Sequence, residues 1–177
     1  MEMHSFAASF QTSQGYDDLV SAGMQLYLGK SFASYTKNED LELDKLGVDA
    51  IVRRTNGKTV YVDYKIDSYN SDSIALEMWS NKERGKVGWA CDTSKLTDYV
   101  VFVKPQKQYF LIFPFSQMQH FLRQEIQNSP KQFFHRLRDV RNPGYTTSIA
   151  LFTLEELKKG LGELCQIAFP ADEYAVK

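Results

Sequence analysis

Cysteine is scarce in this chain: its 177 residues contain two, Cys91 and Cys165, far apart in the sequence. That excludes a zinc cluster built on paired C-x-x-C motifs and a disulfide scaffold, and it fits a reducing, cytoplasmic setting. Long apolar runs are missing too. Nothing approaches the ~20 consecutive apolar residues of a membrane span. Residues 1–10 lack the basic head and apolar stretch of a secretory signal, so no membrane partner is expected. His4, His120 and His135 show no metal or triad spacing, and there is neither a G-x-S-x-G nor a G-x-x-x-x-G-K motif. What remains is 43% hydrophobic, 14% aromatic and 24% charged, the composition of one globular domain with a sizeable core.

Net charge is nearly absent as well, at −1, but the sum conceals a polarity. Residues 1–77 carry 7 Lys/Arg against 12 Asp/Glu, residues 78–141 carry 11 against 5, and residues 142–177 carry 3 against 5. An acidic part followed by a basic one suits a metal site beside a polyanion-binding surface. Ordinary variation in surface charge accounts for it equally well.

Periodicity predicts a helix over 15–30, with Leu19, Gly23, Leu26 and Tyr27 on one stripe, and an acidic loop over 36–45. Strands are expected at 48–54 and 58–66, around Asn56-Gly57, and a third at 73–79. Residues 81–90 read as an exposed basic loop. The nearly continuous apolar runs at 98–103 and 108–113 read as a buried sheet centre. A helix follows at 116–127. Another opens at Ser129-Pro130 with Phe133, Phe134 and Leu137 on its apolar face, which puts Arg138 and Arg141 on one helix face. Residues 145–151 suit a short strand, and Thr153 with Glu156 forms a capping box for a last helix that buries Leu154, Leu157, Leu161 and Leu164. The order points to an α/β (α+β) domain with a mixed central sheet flanked by helices.

Chemistry concentrates at Asp49 and at Asp63-Tyr64-Lys65, charged residues inside otherwise apolar strands, where such residues need partners. Asp63 and Lys65 are two apart and project from one face. The register decides whether Asp49 joins them. A two-residue loop at Asn56-Gly57 would set Asp49 opposite Tyr64. A three-residue loop with Gly57 in the left-handed conformation pairs Arg54 with Lys58 and sets Asp49 opposite Asp63. Two carboxylates so close, roughly 4.5–5.5 Å apart at Cβ, call for a cation between them, and Mg²⁺ takes such oxygen ligands.

These residues resemble the PD-(D/E)XK nuclease superfamily, the restriction-endonuclease-like fold: Asp49 matches its first acid and Asp63-Tyr64-Lys65 its D-x-K, with Val48 where the family name has proline. The resemblance implies a single nuclease-like domain over 1–177, with a core at about 15–113 and helical and strand additions at 114–177. It implies Mg²⁺ or Mn²⁺ held by Asp49, Asp63 and the Tyr64 carbonyl, Lys65 positioning the attacking water, and a DNA substrate, with RNA as the other candidate. Many members act as dimers, which suits a chain with little beyond the core. The alternative is a non-catalytic nucleic-acid- or protein-binding member of the fold. Glu77 is a candidate to complete the metal shell if its strand neighbours that of Asp63; an outward-facing strand residue is the competing reading. Asp17 and Asp18 read as helix-dipole acids. Lys82, Arg84 and Lys86, and farther on Arg138 and Arg141, are candidate phosphate contacts; Trp79 and Trp89 are candidates to stack on a base, with Trp89, before Ala90 and Cys91, read as a core anchor. A second D/E-x-K, Glu156-Leu157-Lys158, falls in a predicted helix and reads as a solvated face.

Overall fold

A computed structural model of the chain describes residues 16–162 and the strand Cys165–Ala168. Helix α1 (Asp17–Leu28) begins with two acids in its first turn, where the helix dipole favours negative charge. A 3₁₀ turn, Gly29–Ser31, leads into β1 (Phe32–Lys37). The short helix α2 (Leu41–Lys45) is capped by Asp40, whose carboxylate accepts from the Glu42 and Leu43 backbone N–H groups. Strands β2 (Ala50–Arg54) and β3 (Thr59–Ile66) follow. The chain then forms β4 (Ser73–Asn81) and β5 (Lys86–Val87), and returns as β6 (Tyr99–Lys104) and β7 (Tyr109–Pro114). Helices α3 (Phe115–Asn128) and α4 (Pro130–Arg136) precede β8 (Leu137–Asn142) and β9 (Tyr145–Thr153), then α5 (Leu154–Leu161) and β10 (Cys165–Ala168).

The strands build two sheets. The larger has the order β1-β2-β3-β6-β7-β10, antiparallel except where β6 runs parallel to β3; the smaller, β5-β4-β9-β8, is antiparallel throughout. Leu19, Val20 and Met24 of α1 pack on one face of the larger sheet against Val62, Val101 and Ile112. On the other face Val100, Phe102 and Phe113 meet Leu76 and Phe152 of the smaller sheet and Met118 and Phe121 of α3. Neighbouring residues of β6 thus enter opposite cores, which is why its sequence lacks the alternation of a half-exposed strand. The molecule is a mixed α/β fold with two sheets flanked by helices, and among the described residues no helix is long and apolar enough to cross a membrane.

Several expectations change. The predicted 36–45 loop contains α2, and the end of β1 lies at its start. The third strand, β4, lies in the smaller sheet, so the connection from β3 to the parallel β6 runs through that sheet instead of the usual helix. The helix after Ser129 stops at Arg136, because the chain extends at Leu137 and pairs with β9. Arg138 and Arg141 are therefore strand residues an odd number apart, on opposite faces and not on one helix face. Phe133 of that helix is buried, but Phe134 is 69% exposed. The Thr153–Glu156 capping box forms as expected, with Leu157 and Leu161 buried and Leu154 half-buried; Leu164 and residues 1–10 lie outside the described residues.

Candidate active site

The β2–β3 turn sets the site. Gly57 adopts φ +83°, the left-handed conformation that glycine enters without steric cost. Its N–H donates to the Arg54 carbonyl, and the Arg54 N–H donates to the Lys58 carbonyl, both at 2.9 Å. This is the three-residue loop, and the ladder pairs Ala50 with Val62 and Val52 with Val60. One step further along, Asp49 comes beside Asp63.

There β2 ends while β3 runs on to Ile66. The Asp49 N–H donates to the Val62 carbonyl, its carbonyl accepts from the Asn38 N–H, and its carboxylate Oδ2 accepts from the Tyr64 N–H at 2.9 Å. The Asp49 side chain thus takes the β3 amide that β2 no longer serves. Asp63 is 2% exposed, with Lys65 Nζ 2.5 Å from its Oδ1. Beneath them β6 offers Val100 and Phe102, aligned with Asp63 and Lys65, so the floor of the site is apolar. The Lys65 ammonium also lies 5.5 Å from the Trp89 ring centroid, within the reach of a cation–π attraction.

Burial, and then the neighbouring Asp63 charge, push the Asp49 carboxyl up to about 7, with Lys65 acting in the opposite direction. Burial alone would make Lys65 easier to deprotonate. Asp63, Asp49 and Glu77 outweigh it and hold the ammonium above its ordinary range, so Lys65 is a cation at neutral pH. The arrangement is two adjoining carboxyl groups, with a fixed ammonium on one of them, at the edge of a dry sheet centre.

Glu77 reaches this site from the smaller sheet. Its strand does not neighbour that of Asp63, so the condition set for a metal ligand is not met. Among the described residues no three His, Cys, Asp or Glu side chains converge as a metal-holding group. Glu77 Oε1 instead accepts from the Trp89 N–H at 3.4 Å. Gly88 permits that approach: a Cβ there would strike the Glu77 carbonyl. Trp89, read from sequence as a core anchor, is half-buried between Glu77 and Lys65.

Behind the sheet lies a network the sequence reading missed. Asp17 accepts from the Tyr35 hydroxyl at 2.9 Å, the Tyr64 hydroxyl at 3.0 Å and Lys37 Nζ at 2.7 Å. Burial, and then Asp17, push both phenols above their ordinary range. Tyr64 therefore joins two layers: its backbone N–H binds Asp49 and its ring binds Asp17. The signal was the spacing Tyr35-Thr36-Lys37, which puts two donors on one strand face. Asp18 is exposed and fits its reading as a dipole acid.

The basic candidates divide by their partners. Lys82 pairs with Asp139 at 2.7 Å, tying the β4–β5 loop to β8. Arg84, Lys86 and Arg141 are exposed. The Arg138 guanidinium donates to the His135 and Leu137 carbonyls at the end of α4. Neighbouring Arg136 is committed to Glu156 at 2.6 Å and lies over the Phe152 ring.

No family model matches the chain, and comparison with curated proteins and with solved structures returns no significant match.

Proposed function

We propose that the chain is a metal-dependent nuclease that hydrolyses phosphodiester bonds, in DNA ahead of RNA, on a restriction-endonuclease-like core. The observation that carries this reading is the pairing of Asp49 with Asp63 at the point where β2 leaves β3, with Lys65 bonded to Asp63. The sheet order β1-β2-β3-β6, with α1 packed on one face and β6 parallel to β3, supports it.

The donor set suits a hard cation. It is made of oxygen atoms alone, and two adjoining buried carboxylates are stable together only with a proton or a cation between them. Asp49, Asp63 and the Tyr64 carbonyl would hold Mg²⁺ or Mn²⁺, and the ion would activate water and neutralise phosphate charge. The protein's own contribution is electrostatic. Lys65, fixed by Asp63 and by the Trp89 ring, orients a water and offers a positive charge where the phosphorane develops negative charge. Asp63 and Asp49 keep that ammonium charged, with a smaller contribution from Glu77, which also holds the Trp89 backbone. Lys82, Arg84, Lys86 and Arg141 are the candidate contacts to the substrate backbone; Arg138 already donates to the His135 and Leu137 carbonyls.

Incubation with Mg²⁺ and single-stranded, duplex and branched DNA tests this directly. The expected result is cleavage that EDTA abolishes and that Lys65→Ala and Asp63→Ala each reduce about 100-fold or more. Undiminished cleavage by both variants would reject the site. Binding without cleavage by the intact chain would favour a non-catalytic member of the fold.

A further inference from the structure

A cleft of about 520 Å³ opens beside Lys65 and Glu77, away from Asp49 and Asp63. That volume falls within the ~300–1,000 Å³ of small-molecule sites. Its walls come from three places. The 67–72 loop after β3 supplies Tyr69, which is 78% exposed at the rim. The Trp89 ring lies at the Lys65 end. The back wall is the face of the smaller sheet that carries Ala75, Glu77, Ile149 and Leu151; the alternate residues Ile74, Leu76, Ala150 and Phe152 fill the core behind it.

The loop that bears Tyr69 is anchored. Asp67 binds Lys104, whose ammonium is fully buried and also donates to the Ser73 carbonyl, and the Tyr69 N–H donates to Asp67 Oδ1. An exposed aromatic on a loop pinned at its base is a preorganised stacking surface, since little further ordering accompanies binding. The cleft therefore combines flat aromatic surface, an apolar wall, the Glu77 carboxylate as a hydrogen-bond acceptor and an ammonium at its head. That combination matches a nucleotide, with its base against the wall and its phosphate toward Lys65. Paired and stacked bases in a continuous duplex could not enter it.

We infer that this cleft takes one unpaired nucleobase next to the scissile phosphate, which makes the substrate a single strand or a duplex with a displaced nucleotide. The inference rests on the nuclease reading of Lys65 for the placement of the phosphate, although base binding itself is measurable without cleavage.

The test uses the full chain without divalent ions and an oligothymidylate of about 12 nucleotides, followed by fluorescence anisotropy. The single strand should bind more tightly than a fully paired duplex of the same length. An abasic residue moved along the strand should weaken binding about ten-fold at one position, the usual scale for losing one stacked base. In Tyr69→Ala the single strand should bind about ten-fold more weakly and the abasic position should no longer matter, while Tyr69→Phe, which keeps the ring, should behave as the parent. Equal affinity for single strand and duplex, no sensitive abasic position, or no single-strand binding would each overturn the inference. Mg²⁺-dependent cleavage of the same strands separates the two readings. Cleavage with base-blind binding removes the cleft's role alone, whereas base-dependent binding without cleavage removes the nuclease and leaves the cleft.

Discussion

Asp49 stands in an unusual position for a carboxylic acid. Burial and Asp63 raise its pKa to about 7 from an ordinary 3.8. An acid raised in the folded state contributes its stability below the unfolded value and loses it as pH rises through the folded one. Asp49→Asn is therefore expected to change Tm little near pH 3 and to raise it increasingly from there to pH 8, as measured by calorimetry in EDTA. A dication between the carboxylates would narrow that difference at pH 8. Mg²⁺ at about 100 times its Kd adds about 2.7 kcal/mol of stability, and that increment should be absent from Asp49→Asn. An Mg²⁺ increment of the same size in both proteins would mean that the ion binds elsewhere. The pairing was legible in part: Asn56-Gly57 marks the turn, but two loop lengths fit it, and the structure takes the longer one, which brings Asp49 beside Asp63. The turn sets the register, and the strand period carries Asp63 and Lys65 to one face. The Asp17 network was not legible, because Tyr35 and Lys37 of β1 and Tyr64 of β3 reach Asp17 of α1 from separate segments.

Secondary-structure elements were read correctly where their own residues decide them. The last helix shows this: Thr153 accepts from the Glu156 N–H, and the Glu156 carboxylate accepts from the Thr153 N–H. Glu156 also holds Arg136, and that bond, with the help of Thr153, lowers its pKa to about 2. Its contribution is present above the unfolded pKa of 4.5 and is lost as pH falls toward 2. Glu156→Gln should flatten this acid limb, read as Tm against pH between about 5 and 2, and leave neutral activity unchanged. Elements decided by their neighbours were misread. The charged stretch of β8 carries no strand alternation, and it is extended because β9 offers it a ladder. The 88–90 segment is likewise defined by contact. Its backbone N–H groups reach back to β4, Gly88 to the Met78 carbonyl and Ala90 to the Glu77 carbonyl. Gly88→Ala should cost about 1–3 kcal/mol through overpacking in urea denaturation, and it should lower the proposed cleavage by displacing Trp89 from Lys65.

For the whole molecule, the near-zero net charge is the sum of an acidic and a basic part. Affinity for a polyanion follows the local patch and not the sum, with log K falling in log salt by about 0.7–0.9 per phosphate neutralised. Binding to DNA should therefore fall steeply between low and physiological salt, and Lys82→Ala with Arg84→Ala and Lys86→Ala should flatten the slope. Lys82 is expected to contribute least, since Asp139 already holds it. A slope unchanged in the triple variant would place the phosphate path elsewhere.

The sequence by itself left the register of the hairpin open between two loop lengths, but it determined the hairpin itself, the shared face of Asp63 and Lys65, and the buried runs of β6 and β7. Each of these follows from turn chemistry, the strand period or apolar content within a short stretch of chain. Only the tertiary structure decided that β4 leaves the main sheet, that Glu77 meets Lys65 and Trp89 and not a ligand set with Asp49 and Asp63, and that Arg136 and Arg138 are occupied by internal partners. The physical reason is one of range. Hydrogen-bond periodicity acts over a few residues, whereas the placement of one sheet against another depends on how two apolar faces from distant segments are buried together.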